Sequence, residues 1–185
     1  MDGGVDNVST NSYKTLEINI THPIRATQLA IDSFMRQKLG HGVVIIISSI
    51  AAQMTPLPCP MYSASKHAMS GFCRSLAHLE PTINIRVSAV APGIVKTPIW
   101  TEDKVKWFDE KEDTWVTPAR IAEVMLDLVQ KEENIGGTVL EVGAESVRRV
   151  EGLNDPGPEG KGFTVAKMGD GYAAVYQSIE NNFGK

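Results

Sequence analysis

The chain has 185 residues, with a hydrophobic share of 42%, a charged share of 22% and a net charge of −4. That balance describes an ordinary soluble globular protein, and the length favours one domain. The mild negative charge without a basic stripe argues against nucleic acid as a partner. No apolar run approaches membrane-spanning length, so no membrane partner is expected.

The opening M-D-G-G-V-D-N has neither the basic nor the apolar part of a secretory signal. Residues 1–12 are polar and Gly-rich and read as a loose arm. A helix is predicted over 23–38, with Ile24, Leu29, Ile31, Phe34 and Met35 on one buried face and Pro23 in its first turn. Gly40 and Gly42 end it. The run V-V-I-I-I over 43–47 predicts a strand buried on both faces, as in parallel sheets. Pro56, Pro58 and Pro60 punctuate the loop before a helix beginning near Met61, which carries Ala64, Ala68, Gly71 and Ser75 at helical spacing. Residues 85–90 form a second strand, broken by Ala91-Pro92-Gly93. Thr117-Pro118 is a capping hydroxyl followed by an N1 proline, and predicts an amphipathic helix over 119–131. Gly136-Gly137 closes it, and 138–142 is a third strand. Strands and helices alternating in this order imply right-handed crossovers and an α/β fold with a parallel sheet. Beyond Gly143 little regular structure is expected over 154–162, and a short helix is predicted within 172–183.

Cys59 and Cys73 lack metal-like spacing, and His22, His41, His67 and His78 form no ligand-like cluster. No metal site is expected, and a cytoplasmic protein with two reduced thiols is the simplest reading.

The segment from Ser49 to Lys66 carries the chemistry. Ser49 stands thirteen residues before Tyr62, and Lys66 follows Tyr62 by four. Positions i and i+4 share a helix face, so Tyr62 and Lys66 point the same way. An ammonium fixed beside a phenol favours the phenolate, giving a proton donor and acceptor that works near neutral pH. Ser49, at the end of an apolar strand, adds a hydroxyl at the same spot. A carbonyl or alcohol between the two hydroxyls would be held and protonated, or deprotonated. The bland alternative is a half-buried tyrosine and a solvated lysine.

Serines closing an apolar strand, Y-S-A-S-K at 62–66 and the spacing between them resemble the short-chain dehydrogenase/reductase family. The L-E-I-N-I and Y-S-A-S-K-H-A flanks look most like 15-hydroxyprostaglandin-dehydrogenase-type members. The resemblance implies a Rossmann-like, doubly wound parallel sheet and hydride transfer between NAD or NADP and a small-molecule secondary alcohol or ketone. Tyr62 would be the acid or base, and Lys66 would tune it and hold the nicotinamide ribose. Ser49 would polarise the carbonyl, and Asn19 would hold a relay water, although an asparagine capping local structure is the alternative. Pro92, Gly93, Val95 and Thr97, in P-G-I-V-K-T, resemble the segment that contacts the nicotinamide carboxamide; a plain turn is the alternative. Residues 99–115 would be the variable substrate segment. Its Trp100, Trp107, Phe108 and Trp115 either line a pocket or pin an amphipathic helix to the core, and Met54, Leu57 and Met61 would also face the pocket.

The resemblance covers roughly residues 5–150, and 151–185 reads as a C-terminal extension. The family's T-G-x-x-x-G-x-G pyrophosphate loop, its N-N-A-G turn and the residue that selects NAD from NADP are missing. This implies a partial sheet, the catalytic half of the fold with the first strands missing, and an exposed apolar edge on the 43–47 strand. Such a chain invites homo-oligomerisation or pairing with a full-length relative, and the alternative function is that of a non-catalytic remnant or interaction partner. A metal- or thiol-dependent hydrolase has little support, because Ser49 lacks a G-x-S-x-G elbow.

Overall fold

The computed structural model describes residues 13–54, 56, 59–102, 114–152, 177, 180 and 181. The arm at 1–12 and the stretch 154–162 lie outside these residues, as does most of 172–183.

Branching at Cβ restricts Val43, Val44 and Ile45 to Ile47 toward extended backbone, and Gly42–Ile47 forms β1. It pairs in parallel with β2, Ile85–Pro92, in a register that sets Ile47 opposite Val90. β2 pairs in parallel with β3, Val139–Val142, and β3 pairs antiparallel with β4, Val147–Arg149. The order is β1-β2-β3-β4 in one four-stranded sheet. The chain is thus α/β with a parallel-dominated, Rossmann-like sheet, as the strand and helix alternation predicts.

Helices cover both faces. α1 (Lys14–Leu16) runs through a π-helical stretch, Glu17–Thr21, into α2 (His22–Arg36). α3 spans Pro60–Ser75, α4 Leu79–Ile83 and α5 Pro118–Gln130. α2 and α3 close one face over Ile46, Val87, Ala89 and Ala91, with Met69 and Cys73 of α3 fully buried. α5 closes the other through Ile121, Val124 and Leu128 against Val90 and Val142.

Three expectations change. Helical backbone begins at Lys14, well before Pro23. Pro23 has no N–H, so it cannot donate to the carbonyl of Asn19 in α register or of Ile18 in π register. The break in the ladder lies inside a longer helix and does not start one. Second, β1 is not buried on both faces: Ile47 is 46% exposed, because β1 is the edge of the sheet among the described residues. Third, Ala91 and Pro92 continue β2 to pair with β3. Proline is tolerated there because it lies past the β1 ladder, which ends at Ile47 opposite Val90, so its missing N–H removes no bond to β1. Ala64, Ala68, Gly71 and Ser75, the small residues at helical spacing, all lie on the exposed face of α3, whereas Ser63, Ser65, Lys66, Met69, Ser70 and Cys73 are buried. α4 and β4, which the sequence does not signal, complete the described elements.

Candidate active site

In a parallel sheet all strands end on one edge, and ligand sites form outside it. Here β1 ends into Ser48-Ser49 and β2 into Pro92-Gly93. The register continues past both ends, with Ser48 N–H donating to Val90 O at 2.8 Å and Gly93 N–H to Val142 O at 2.9 Å. A Cβ on Gly93 would come within 3.3 Å of Val142 O and 3.5 Å of Val116 Cγ2, so a side chain here would crowd the end of β3 by a few tenths of an ångström.

Buried serines of α3 fasten the strand end to the helix. Ser48 Oγ lies 2.7 Å from Ser70 Oγ and donates to Lys66 O at 3.2 Å. Ser63 Oγ shares its proton between Ala51 O at 2.8 Å and Met54 O at 3.1 Å. These bonds bring Ser49 to the first turns of α3, where Tyr62 and Lys66 stand. Ser49 caps the 3-10 turn Ile50–Ala52, its Oγ accepting from Ala51 N–H at 3.2 Å. That fixes the oxygen and leaves the hydroxyl proton to donate.

Ser49, Tyr62, Lys66, Pro92, Gly93, Val95 and Thr97 line one cavity of about 460 Å³. Lys66 Nζ donates to Ile47 O at 2.9 Å and lies 5.6 Å from the centre of the Tyr62 ring, within cation–π reach. Burial pushes the Lys66 ammonium below its ordinary value. Asn19 does not line this cavity. It lies in the adjoining one, of about 400 Å³, with His22, Pro23 and Thr27. Lys66 and Ile47 line both, so Lys66 stands between Tyr62 and the π-helical stretch. Asn19 Nδ2 donates to Ser65 Oγ at 3.1 Å, and Ser65 Oγ donates to Tyr62 O at 2.6 Å.

Met54 and Met61 do not line the Tyr62 cavity. Ser63 holds Met54 by its carbonyl, and the Met54 side chain lines a separate cavity with His67 and Arg74. Leu57, Trp107 and Phe108 lie outside the described residues. Cys59, which sequence reasoning assigned no role, lines the Tyr62 cavity instead, together with Ile99 and Trp100. Trp115 packs edge-on against Trp100. The π-helical stretch was equally unforeseen, although Pro23, four residues after Asn19, signals a missing N–H at that turn.

A donor set of one ammonium, two or three hydroxyls and exposed peptide groups along a sheet edge suits a nicotinamide ribose and carboxamide. Among the described residues nothing resembles a glycine-rich pyrophosphate loop.

Comparison with known proteins agrees with the geometry. A family model described as short chain dehydrogenase matches residues 6–106. The chain is 32% identical to the 15-hydroxyprostaglandin dehydrogenase [NAD(+)] of Rattus norvegicus, over 77% of this chain and 59% of that one. It is 29% identical to the Bos taurus protein of the same name, over 99% of this chain and 60% of that one. The chain therefore spans about 60% of the length of these curated relatives. Among solved structures, 4-hydroxyisoleucine dehydrogenase complexed with NADH superposes with a TM-score of 0.60 at 22% identity, covering 70% of this chain and 56% of that one. The 3-hydroxyacyl-CoA dehydrogenase type-2 of Mycobacterium avium gives 0.60 at 22%, covering 77% and 58%. At that identity these two likenesses speak for the fold alone. With the fold, the serine–tyrosine–lysine cavity and the matched family residues in agreement, the chain belongs to the short chain dehydrogenase family.

Proposed function

We propose that this chain is the catalytic part of an oxidoreductase acting between a nicotinamide cofactor and a secondary alcohol or its ketone, with Tyr62 as the acid and base. The observation that carries this reading is the convergence of Ser49, Tyr62 and Lys66 on one cavity at the C-terminal edge of the parallel sheet. Lys66, Thr97 and the backbone of residues 92–95 would hold the nicotinamide end. The bound cofactor supplies or accepts the hydride. The chain's own residues handle the proton. In the reducing direction the Tyr62 phenol gives its proton to the substrate oxygen while the Ser49 hydroxyl donates a second hydrogen bond to the same atom. The Lys66 ammonium, fixed beside the ring, favours the negative charge left on the tyrosine oxygen. Lys66 also lines the Asn19 cavity, where Pro23 has no N–H to offer the preceding turn; a water held by a carbonyl of that turn would return the proton through Lys66. In the oxidising direction each transfer runs backward. The NAD(+) in the names of the rat and bovine relatives supports NAD over NADP.

Titration of the purified chain with NADH and NADPH, followed by nicotinamide fluorescence, tests the reading. Binding at or below the millimolar range is expected. Its absence from folded protein overturns activity for this chain. Tyr62→Phe is expected to abolish turnover and largely spare cofactor affinity; retained turnover refutes the assigned role.

A second reading, as a partner of a full-length relative or of another copy, draws on two observations. The small side chains Ala64, Ala68, Gly71 and Ser75 form an exposed stripe on α3, and among the described residues β1 presents an open edge with exposed Ile47. Small residues permit close helix approach, and open apolar edges invite pairing.

A further inference from the structure

We propose that Trp100 sets the substrate class of the Tyr62 cavity, and that this class is a neutral ketone or secondary alcohol bearing an apolar substituent beside the reacting carbon. The inference rests on the oxidoreductase reading above and deepens it.

The segment between β2 and α5 leaves the sheet and returns to it at one clamp. Val95 and Val116 form a parallel bridge. Lys96 N–H donates to Val116 O at 2.9 Å, and Val116 N–H donates to Ile94 O at 2.8 Å. Val116 is buried in the α5-side core. Trp100 folds back onto this clamp. Its indole N–H donates to Val95 O at 2.9 Å, and its backbone N–H donates to Thr97 O at 3.3 Å. Its ring meets Trp115 edge-to-face, with centroids 5.4 Å apart and planes at 73°, a favoured aromatic geometry. Trp100 is therefore positioned by the base of the segment.

This anchoring has a chemical result. The indole N–H is the one polar group of the side chain, and it is used within its own turn. What Trp100 offers the cavity is hydrocarbon. The hydroxyls of Ser49 and Tyr62 supply the polar contacts for the reacting oxygen. Lys66 is the single charged side chain among the described residues lining the cavity, and its ammonium is bonded to Ile47 O beside the Tyr62 ring. An anionic substituent against Trp100 would lose water and meet the negative face of the ring, without gaining a partner among the described residues other than Lys66. An apolar one gains by leaving water.

Two probes with the same reacting carbonyl separate the possibilities: 4-methylacetophenone and 4-acetylbenzoate. Binding is measured by calorimetry on the full chain carrying Tyr62→Phe, with NADH present, so that nothing is consumed. The neutral ketone is expected to bind about tenfold or more tightly than the carboxylate. Trp100→Ala is expected to remove most of that preference by weakening the neutral ketone. Trp100→Phe, which keeps an apolar ring if the alanine variant fails to fold, is expected to hold the preference within about threefold. Equal or tighter binding of the carboxylate, an unchanged preference in Trp100→Ala, or no binding of either probe overturns the inference. Trp100-dependent binding without any NADH consumption in the unsubstituted chain counts against the oxidoreductase reading alone. Turnover that is indifferent to Trp100 counts against this inference alone.

Discussion

Asn19 and Tyr62 are joined through a single hydroxyl: Asn19 Nδ2 donates to Ser65 Oγ at 3.1 Å, and Ser65 Oγ donates to Tyr62 O at 2.6 Å. The bridge ties the π-helical stretch Glu17–Thr21 to the first turns of α3, the helix that carries both Tyr62 and Lys66. The two bonds share one oxygen, so their contributions should not add. Ser65→Ala and Asn19→Ala should each destabilise the chain by about 1 to 2 kcal/mol. A double-mutant cycle by urea denaturation should return a coupling of about 1 kcal/mol. Additive losses would show that the bridge carries no energy of its own.

Lys66 sits buried at a cost, since burial lowers its pKa from the ordinary 10.5. The unfolded chain therefore binds more protons than the folded one between the lowered value and 10.5. Stability should rise with pH across that window. Lys66→Met removes both the penalty and the proton. At neutral pH this variant should be at least as stable as the parent, its stability should lack that rise, and its activity should be lost. A large loss of stability at neutral pH would mean that the bond to Ile47 O outweighs the cost of burying the charge.

Cys73 behaves oppositely. Burial pushes its thiol from 9.0 up to about 12. Above pH 9 the unfolded chain loses that proton while the folded chain keeps it, so stability falls as pH climbs toward 12. Relative to Cys73→Ala, the parent should lose about 1 kcal/mol of its advantage by about pH 10. Parallel stability curves for the two proteins from neutral to alkaline pH would contradict this.

Arg86 pins three elements at the opposite end of the sheet. Its Nε lies 2.6 Å from Glu80 Oε1, and its guanidinium also donates to Leu128 O at 3.3 Å and Lys131 O at 3.2 Å. Glu80 in turn accepts from Gly136 N–H, just before β3. With side chains only 10% and 18% exposed, the pair is costly to split. Arg86→Ala should destabilise by about 3 kcal/mol or more, because it leaves a carboxylate buried without its partner. Thermal and urea melts of the single variant and of Arg86→Ala combined with Glu80→Ala check this; the pair should lose less than the sum of the two.

Gly71 and Gly136 should respond to alanine with opposite signs. A Cβ at Gly71 meets nothing within 4 Å, whereas at Gly136 it would lie 2.8 Å from Ala77 O. Gly71→Ala should stabilise the helix by about 0.5 to 1 kcal/mol, and Gly136→Ala should cost about 1 to 3 kcal/mol. If Gly71→Ala instead weakens a dimer seen by light scattering, the exposed face of α3 is an interface.

The periodic elements and the spacing that joins them are legible in the chain alone. The β-branched run fixed β1, the Thr117-Pro118 cap fixed the start of α5, and four residues put Tyr62 and Lys66 on one face, because strand and helix periods are local properties of the backbone. Neighbouring residues do not encode which face of α3 turns inward. Packing decided that, burying Ser63, Ser65 and Ser70 and leaving Ala64, Ala68 and Gly71 outside, since the serines bond to strand-end and helix groups supplied from elsewhere in the fold. Packing likewise put Cys59, and not Met54 or Met61, in the lining of the Tyr62 cavity, and took Trp100 to that cavity from its two alternatives. Those positions depend on hydroxyl and carbonyl bonds between segments distant along the chain, which no local pattern records.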